Sequence, residues 1–176
     1  MLDLKGKTAF VFGVASEDSI AWAICQQLAA AGCTLYLGYQ KRFMSRIFKL
    51  KDQLPSIGGF YPLDVAEDAS TKEFFDAFAA EHPGKKADIL VHAIGFAPRT
   101  CFDRPILFVE DADINTAMTI SANSLQRCLK HGNKHRQPDG RMAHLHPCWS
   151  QGLRLVVITE SDLVTVVTAF DKDNDL

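Results

Sequence analysis

Four short apolar runs, each separated from the next by a stretch with helical spacing, constrain this chain more than any other feature. Thr8-Ala9-Phe10-Val11-Phe12-Gly13 is almost continuously apolar, the pattern of a strand buried on both faces. Ser19 stands where a helix cap is needed, Ile20, Ile24, Leu28 and Ala31 keep helical spacing, and Gly32 closes the helix. Cys33-Thr34-Leu35-Tyr36-Leu37-Gly38 predicts a second strand, residues 42–54 a basic amphipathic helix stopped by Pro55, and Gly59-Phe60-Tyr61-Pro62-Leu63 a third strand. Residues 71–81 carry Phe74, Phe75 and Phe78 on one face of a further helix, ended by Pro83-Gly84. Ala87-Asp88-Ile89-Leu90-Val91-His92 predicts a fourth strand, and residues 111–129 a fourth helix. Strands alternating with helices imply right-handed crossovers, so the expected fold is α/β, a doubly wound parallel sheet.

At 176 residues the chain has the length of one domain or one domain with an appendage. Its 47% hydrophobic and 23% charged residues exclude disordered and low-complexity classes. Nineteen Lys and Arg against 21 Asp and Glu provide no basic excess for a nucleic-acid backbone. No apolar run approaches the roughly 18 residues of a membrane span. The first residues pass into a strand pattern without a hydrophobic signal stretch. Cys25, Cys33, Cys101, Cys128 and Cys148 are odd in number and lack CxxC spacing, so they read as reduced thiols in a cytoplasmic protein.

The junction after the first strand carries the most chemistry. In an open parallel sheet, ligands sit outside the carboxyl ends of the strands, where the next helix offers free amides and its dipole. The loop here, Gly13-Val14-Ala15-Ser16-Glu17-Asp18-Ser19-Ile20, holds one glycine in place of GxGxxG. By spacing alone it fits a plain strand-to-helix turn as well as a phosphate site.

Phe12-Gly13-Val14-Ala15 followed by Ser19-Ile20-Ala21-Trp22 resembles the cofactor loop of the FabI-type enoyl-acyl-carrier-protein reductases, divergent members of the short-chain dehydrogenase/reductase superfamily. Tyr39-Gln40, Leu63-Asp64-Val65 and Leu90-Val91-His92-Ala93-Ile94-Gly95-Phe96-Ala97-Pro98 match the same family in order and spacing. The resemblance covers about residues 1–125 and implies a Rossmann-like, dinucleotide-binding domain over 1–125, followed by a divergent tail over 126–176. It implies that Gly13, Ser19 and Ile20 line the pyrophosphate and ribose, and that Gln40 approaches the adenosine ribose. Asp64 and Val65 would bracket the adenine, Ala93, Ile94 and Gly95 would pass beneath the nicotinamide-side ribose, and Ala97 would touch the acyl substrate. A neutral amide at position 40 can bond a 2′-hydroxyl, so NADH is the implied cofactor. Lys41 and Arg42 could tolerate a 2′-phosphate, which keeps NADPH open. The family reaction is reduction of a trans-2-enoyl thioester on acyl carrier protein in fatty-acid synthesis, by homotetramers.

The family places a tyrosine, followed about six residues later by a lysine, on the helix after the fifth strand. This chain has Tyr36, Tyr39 and Tyr61 only, and Asn123 stands in Ser121-Ala122-Asn123-Ser124 where the family commonly has tyrosine. No catalytic residue is therefore assigned, and the parallel sheet is expected to stop at its fourth strand with an exposed edge. Residues 126–150 look irregular, with Arg127, Lys130, Lys134, Arg136, Arg141 and four histidines against Asp139 alone. An altered reading frame or a substituted terminus would produce such a stretch. Leu153-Arg154-Leu155-Val156-Val157-Ile158-Thr159 and residues 163–170 look strand-like. Two other readings stand beside the enzyme: a non-catalytic nucleotide-binding homologue, and a metal-binding module using His131, His135, His144, His146 and Cys148. The second lacks CxxC pairs or carboxylates, so no metal site is assigned.

Overall fold

The computed structural model describes residues 3–132 and, beyond them, the backbone of three strands, His144–Ser150, Leu153–Glu160 and Leu163–Asp171. The first 92 residues form a regular series: β1 (Thr8–Phe12), α1 (Ile20–Ala30), β2 (Thr34–Tyr39), α2 (Met44–Leu50), β3 (Ile57–Pro62), α3 (Asp68–Glu81) and β4 (Ile89–His92). These strands run parallel in the order β3-β2-β1-β4, so the chain reverses its direction of winding between β1 and β4.

Every residue of β1 is buried, as its apolar run predicts, and its side chains divide between two layers. Ala9 and Val11 face α1 and α2, packing with Trp22, Cys25, Leu35 and Ile47. Phe10 and Phe12 face α3, where Phe74, Phe75 and Phe78 meet them mostly edge to face at 4.7–5.7 Å between the closest ring centroids. Helices on both faces make the sheet doubly wound. Asp88 ties the lower ends of β1 and β4 together, accepting from Thr8 N (2.8 Å) and from Lys7 Nζ (2.9 Å).

Local signals set the helix ends. Ser19 caps α1, its Oγ accepting from Trp22 N at 3.3 Å. Gly32 leaves the helix with φ +96°, its N–H donating to Ala29 O while Cys33 N donates to Leu28 O, the paired bonds of a Schellman stop. The helix expected over 42–54 is broken into α2 flanked by two 3₁₀ turns, Lys41–Phe43 and Lys51–Gln53, and Leu54 is extended ahead of Pro55.

The fourth helix is not one uniform rod. It consists of α4 (Asp111–Met118), a π-helical turn at Thr119–Asn123 and α5 (Ser124–Gly132). The stretch read as irregular from residue 126 is helical as far as Gly132, with Cys128 fully buried against the aromatic layer. Leu125, Cys128 and Leu129 supply a helical apolar face that the surrounding basic residues obscured.

The sheet does not stop at β4. The edge expected to be open pairs in parallel with β7 (Leu163–Asp171), Val91 opposite Val166, and β7 continues antiparallel into β6 (Leu153–Glu160) and β5 (His144–Ser150). Among the described residues the sheet is thus seven-stranded and mixed, in the order β3-β2-β1-β4-β7-β6-β5. Among the described residues, no helix is long and apolar enough to cross a membrane.

Candidate functional site

The carboxyl ends of β1 to β4 lie side by side, because the strand registers pair Phe12 with both Gly38 and His92, and Tyr39 with Pro62. Backbone bonds carry the alignment one residue further: Ala93 N donates to Phe12 O (3.0 Å) and Leu63 N to Tyr39 O (2.7 Å). Gly13, Gln40, Asp64 and Ala93, distant in sequence, therefore leave adjacent strand ends.

Gly13 sits at φ +106°, and a Cβ placed on it would overlap the Ala93 carbonyl. Only glycine fits a backbone so turned and so close to its neighbour. Ser19 holds the far end of this loop, its hydroxyl donating to Ser16 O (2.7 Å). Beyond it the first amides of α1, which a helix leaves without intrahelical acceptors, open toward the strand ends. Glu17 and Asp18 are exposed on the loop, so an anion here would depend on backbone amides rather than on side-chain cations. Ile20, expected on the apolar helix face, is 47% exposed at the helix entrance, because the buried stripe of α1 runs through Ala21, Trp22, Ile24 and Cys25 instead.

A cavity of about 430 Å³ lies where β2 and β3 end, lined by Gln40, Lys41, Arg42, Asp64, Glu67 and Ser70 among others. It brings together Gln40 and Asp64, two of the three residues expected at the adenosine end, and the two cations expected beside them. Asp64 Oδ1 accepts from Ala66 N (3.0 Å), and Asp64 N donates to Ser70 Oγ (2.9 Å). Val65 differs from its neighbours: its side chain is buried in the aromatic layer, and it does not line the cavity.

On the β4 side, Ala93 and Ile94 are partly buried against opposite layers, Gly95 is exposed, and Ala97 is partly buried. Ser121 of the π-helical turn and Ser124, the first residue of α5, fix this segment. Ser121 Oγ accepts from Phe96 N and donates to Phe96 O, both at 3.0 Å. Ser124 Oγ donates to Ile120 O (2.6 Å) and lies 2.7 Å from His92 Nε2. A hydroxyl has one proton, so His92 Nε2 must donate in that second contact. His92 is buried, and burial holds its pKa below the ordinary value. Ser121 and Ser124 belong to the Ser121-Ala122-Asn123-Ser124 segment, whose sequence pattern carries no sign of these bonds.

Tyr36, Tyr39 and Tyr61 are all buried. Tyr61 donates to Glu81 Oε2 (2.6 Å), and burial and that carboxylate raise its pKa; Tyr36 accepts from Lys85 Nζ (2.9 Å). None of the three lines the cavity. His131 is engaged with Asp68 Oδ1 at 2.8 Å, and no group of three or more potential metal ligands occurs among the described residues. His135 and the side chains of His144, His146 and Cys148 lie outside the described residues.

Fold and strand-end geometry together define a Rossmann-type α/β domain. The chain belongs to the enoyl-(acyl carrier protein) reductase family, whose model matches residues 13–152. The NADH-dependent FabI enoyl-[acyl-carrier-protein] reductase of Synechocystis is 35% identical over 135 residues, which is 74% of this chain and 51% of that protein. The corresponding Nostoc protein is 36% identical over 130 residues, 71% of this chain and 49% of its own. Among solved structures, the Bacillus cereus enoyl-acyl carrier protein reductase with NADP+ and indole naphthyridinone aligns with a TM-score of 0.71 at 30% identity. It covers 76% of this chain and 52% of its own. The Anaplasma phagocytophilum reductase in complex with NAD aligns with a TM-score of 0.69 at 26% identity, over 76% and 51%. The chain spans about half the length of the curated relatives it matches.

Proposed function

We propose that this chain binds NADH across the carboxyl ends of β1 to β4, in the service of its family's reduction of trans-2-enoyl-acyl carrier protein in fatty-acid synthesis. The observation that carries this reading is the alignment of Gly13, Gln40, Asp64 and Ala93 on consecutive strand ends, with no room for a side chain at Gly13. Gly13, Ser19 and Ile20 would hold the pyrophosphate and adjoining ribose through backbone amides. Gln40 would bond the adenosine ribose, and Asp64 with the backbone of Val65 would bracket the adenine. Ala93, Ile94 and Gly95 would support the nicotinamide-side ribose, and Ala97 would meet the acyl chain. The bound nicotinamide supplies the hydride. Lys41 and Arg42 offer charge for a 2′-phosphate, but Asp64, Glu67 and Glu73 beside the same cavity oppose it, which favours NADH over NADPH.

A reduced enoyl thioester passes through an enolate, which needs a hydrogen-bond donor and a positive charge nearby. Every tyrosine of this sequence is buried and none lines the cavity, which supports cofactor binding with little turnover by this polypeptide alone. The free thiols of Cys25, Cys33, Cys101 and Cys128 support a reducing, cytoplasmic setting. Assembly into the family's tetramer is read by size-exclusion chromatography, a non-tetrameric species being expected.

Calorimetric titration of the chain with NADH tests the reading. Saturable one-to-one binding is expected, and Gln40→Glu should keep NADH while further rejecting NADPH. Absence of saturation below about 1 mM, the upper end of ordinary substrate ranges, would overturn it. NADH oxidation with a crotonyl thioester should stay at background, against the ordinary range of about 1–10³ per second.

A further inference from the structure

The adenosine end of the cavity is bounded by a turn whose backbone groups can be accounted for one by one. Glu67 N donates to Asp64 O at 3.1 Å, closing residues 64–67 into a β-turn, and Asp64 Oδ1 takes Ala66 N. Such a turn leaves the carbonyls of its two central residues without partners of their own. Both are taken by one nitrogen from another part of the chain: Arg127 Nη1 donates to Val65 O at 2.8 Å and to Ala66 O at 2.9 Å. That nitrogen carries two hydrogens, one for each carbonyl.

Arg127 does not act from a loose surface arm. It sits on α5 directly before Cys128, which is fully buried in the aromatic layer. One turn further on, His131 Nε2 lies 2.8 Å from Asp68 Oδ1, and Lys130 Nζ lies 3.8 Å from Asp68 Oδ2. Asp68 opens α3, immediately after the turn. Positions 127, 130 and 131 share a helix face, so α5 meets the whole 64–68 segment with one edge. The Asp68 contacts are exposed, whereas of the two Arg127 bonds that to Val65 O is partly buried and that to Ala66 O is exposed.

We infer that Arg127 is a positioning residue for the adenosine end of the nucleotide site, holding the peptide planes of the 64–67 turn so that Asp64 and Glu67 stay at the wall of the cavity. The inference rests on the nucleotide-binding reading above and extends it to a residue beyond the stretch that resembles the cofactor site. Val65 anchors the turn from below through its buried side chain, and Arg127 anchors it from the side. Without the guanidinium the two central carbonyls are free to rotate, and the wall that meets adenosine moves with them. The nicotinamide end depends on the Gly13–Ala93 contact and on Ser121, so it should not feel the change.

Two substitutions in the full chain separate these roles. Arg127→Met keeps the length of the stem and removes the donors; Arg127→Lys keeps the charge with poorer geometry. Each is titrated calorimetrically with ADP-ribose and with reduced nicotinamide mononucleotide, and amide hydrogen exchange is followed over residues 65–68. Arg127→Met should weaken ADP-ribose about tenfold, the order expected on losing a charge-assisted hydrogen bond. Arg127→Lys should fall between that variant and wild type, exchange should quicken over 65–68, and the mononucleotide should bind as before. Unchanged ADP-ribose affinity in Arg127→Met would overturn the inference, whatever the exchange. Loss of both ligands in equal proportion with a lowered melting temperature would also overturn it, by making Arg127 a general fold contact. A wild-type chain that binds neither ADP-ribose nor NADH would instead remove the nucleotide-binding reading itself, and this inference with it.

Discussion

Gly13 and Ala93 are in backbone contact across the point where the sheet reverses its winding: the Ala93 carbonyl occupies the volume a Cβ on Gly13 would need. Gly13→Ala meets both a disallowed φ and a steric overlap with a strand end. Its expected destabilisation is about 2–5 kcal/mol, combining backbone strain with overpacking. Urea unfolding measures it, and NADH binding should be lost together with the local geometry. A variant as stable as wild type would mean the β1–β4 approach is looser than described.

Ser121 uses one hydroxyl to hold both backbone groups of Phe96. Ser121→Ala should lower stability by about 1 kcal/mol, the usual net value of such bonds. Amide exchange at residues 95–97 should accelerate, while that of α3 stays unchanged. Uniform acceleration along the chain would contradict a local clamp.

His92 makes stability depend on acidity in a definite direction. Its folded pKa is lowered from 6.5 by burial, so below that value the unfolded chain takes up a proton that the folded chain resists. The stabilisation is complete above 6.5 and declines as the pH falls through and below it. The urea midpoint should therefore drop between about pH 7.5 and about pH 5.5, and His92→Gln should flatten that slope. An identical slope in the variant would assign the effect elsewhere.

Burial raises the Cys25 and Cys128 thiols to about 12. At about pH 8 neither should react with a disulfide reagent while the protein is folded, since the thiolate is the nucleophile. Cys101, partly exposed, should be the first of the described cysteines to be labelled. Peptide mapping after labelling distinguishes them, and early modification of Cys128 would mean that α5 does not pack as described.

What the sequence disclosed depended on how local the determining physics was. Thr8 to Phe12 advertises a doubly covered strand through its own apolarity, and Ser19 with Gly32 brackets α1 by capping chemistry alone. The cofactor-site candidates were legible through resemblance, and the geometry brings Gln40 and Asp64 to one cavity. Burial of the Val65 side chain was not legible, because it depends on α3 lying beneath it. The π-helical turn at Thr119–Asn123 was missed because its bonding pattern leaves no period in the sequence. Arg127 looked like one more member of a basic run, and only its reach to Val65 and Ala66, more than sixty positions earlier, distinguishes it. The pairing of β7 with β4 is a non-local choice that strand patterns at residues 163–170 could suggest but not direct.

The division of β1 between a thin side and a ring-filled side fixes how that strand can vary. Sliding it by one position would drive two benzyl groups into the close-filled space beneath α1 and leave small aliphatic groups facing a hollow shaped by Phe74, Phe75 and Phe78. Tolerance in this strand should consequently alternate from residue to residue, with small aliphatics interchangeable at 9 and 11 and only flat, bulky groups accepted at 10 and 12. The same alternation locks the phase of the whole segment, so that Gly13, one step further, always arrives at the crevice rather than under a helix.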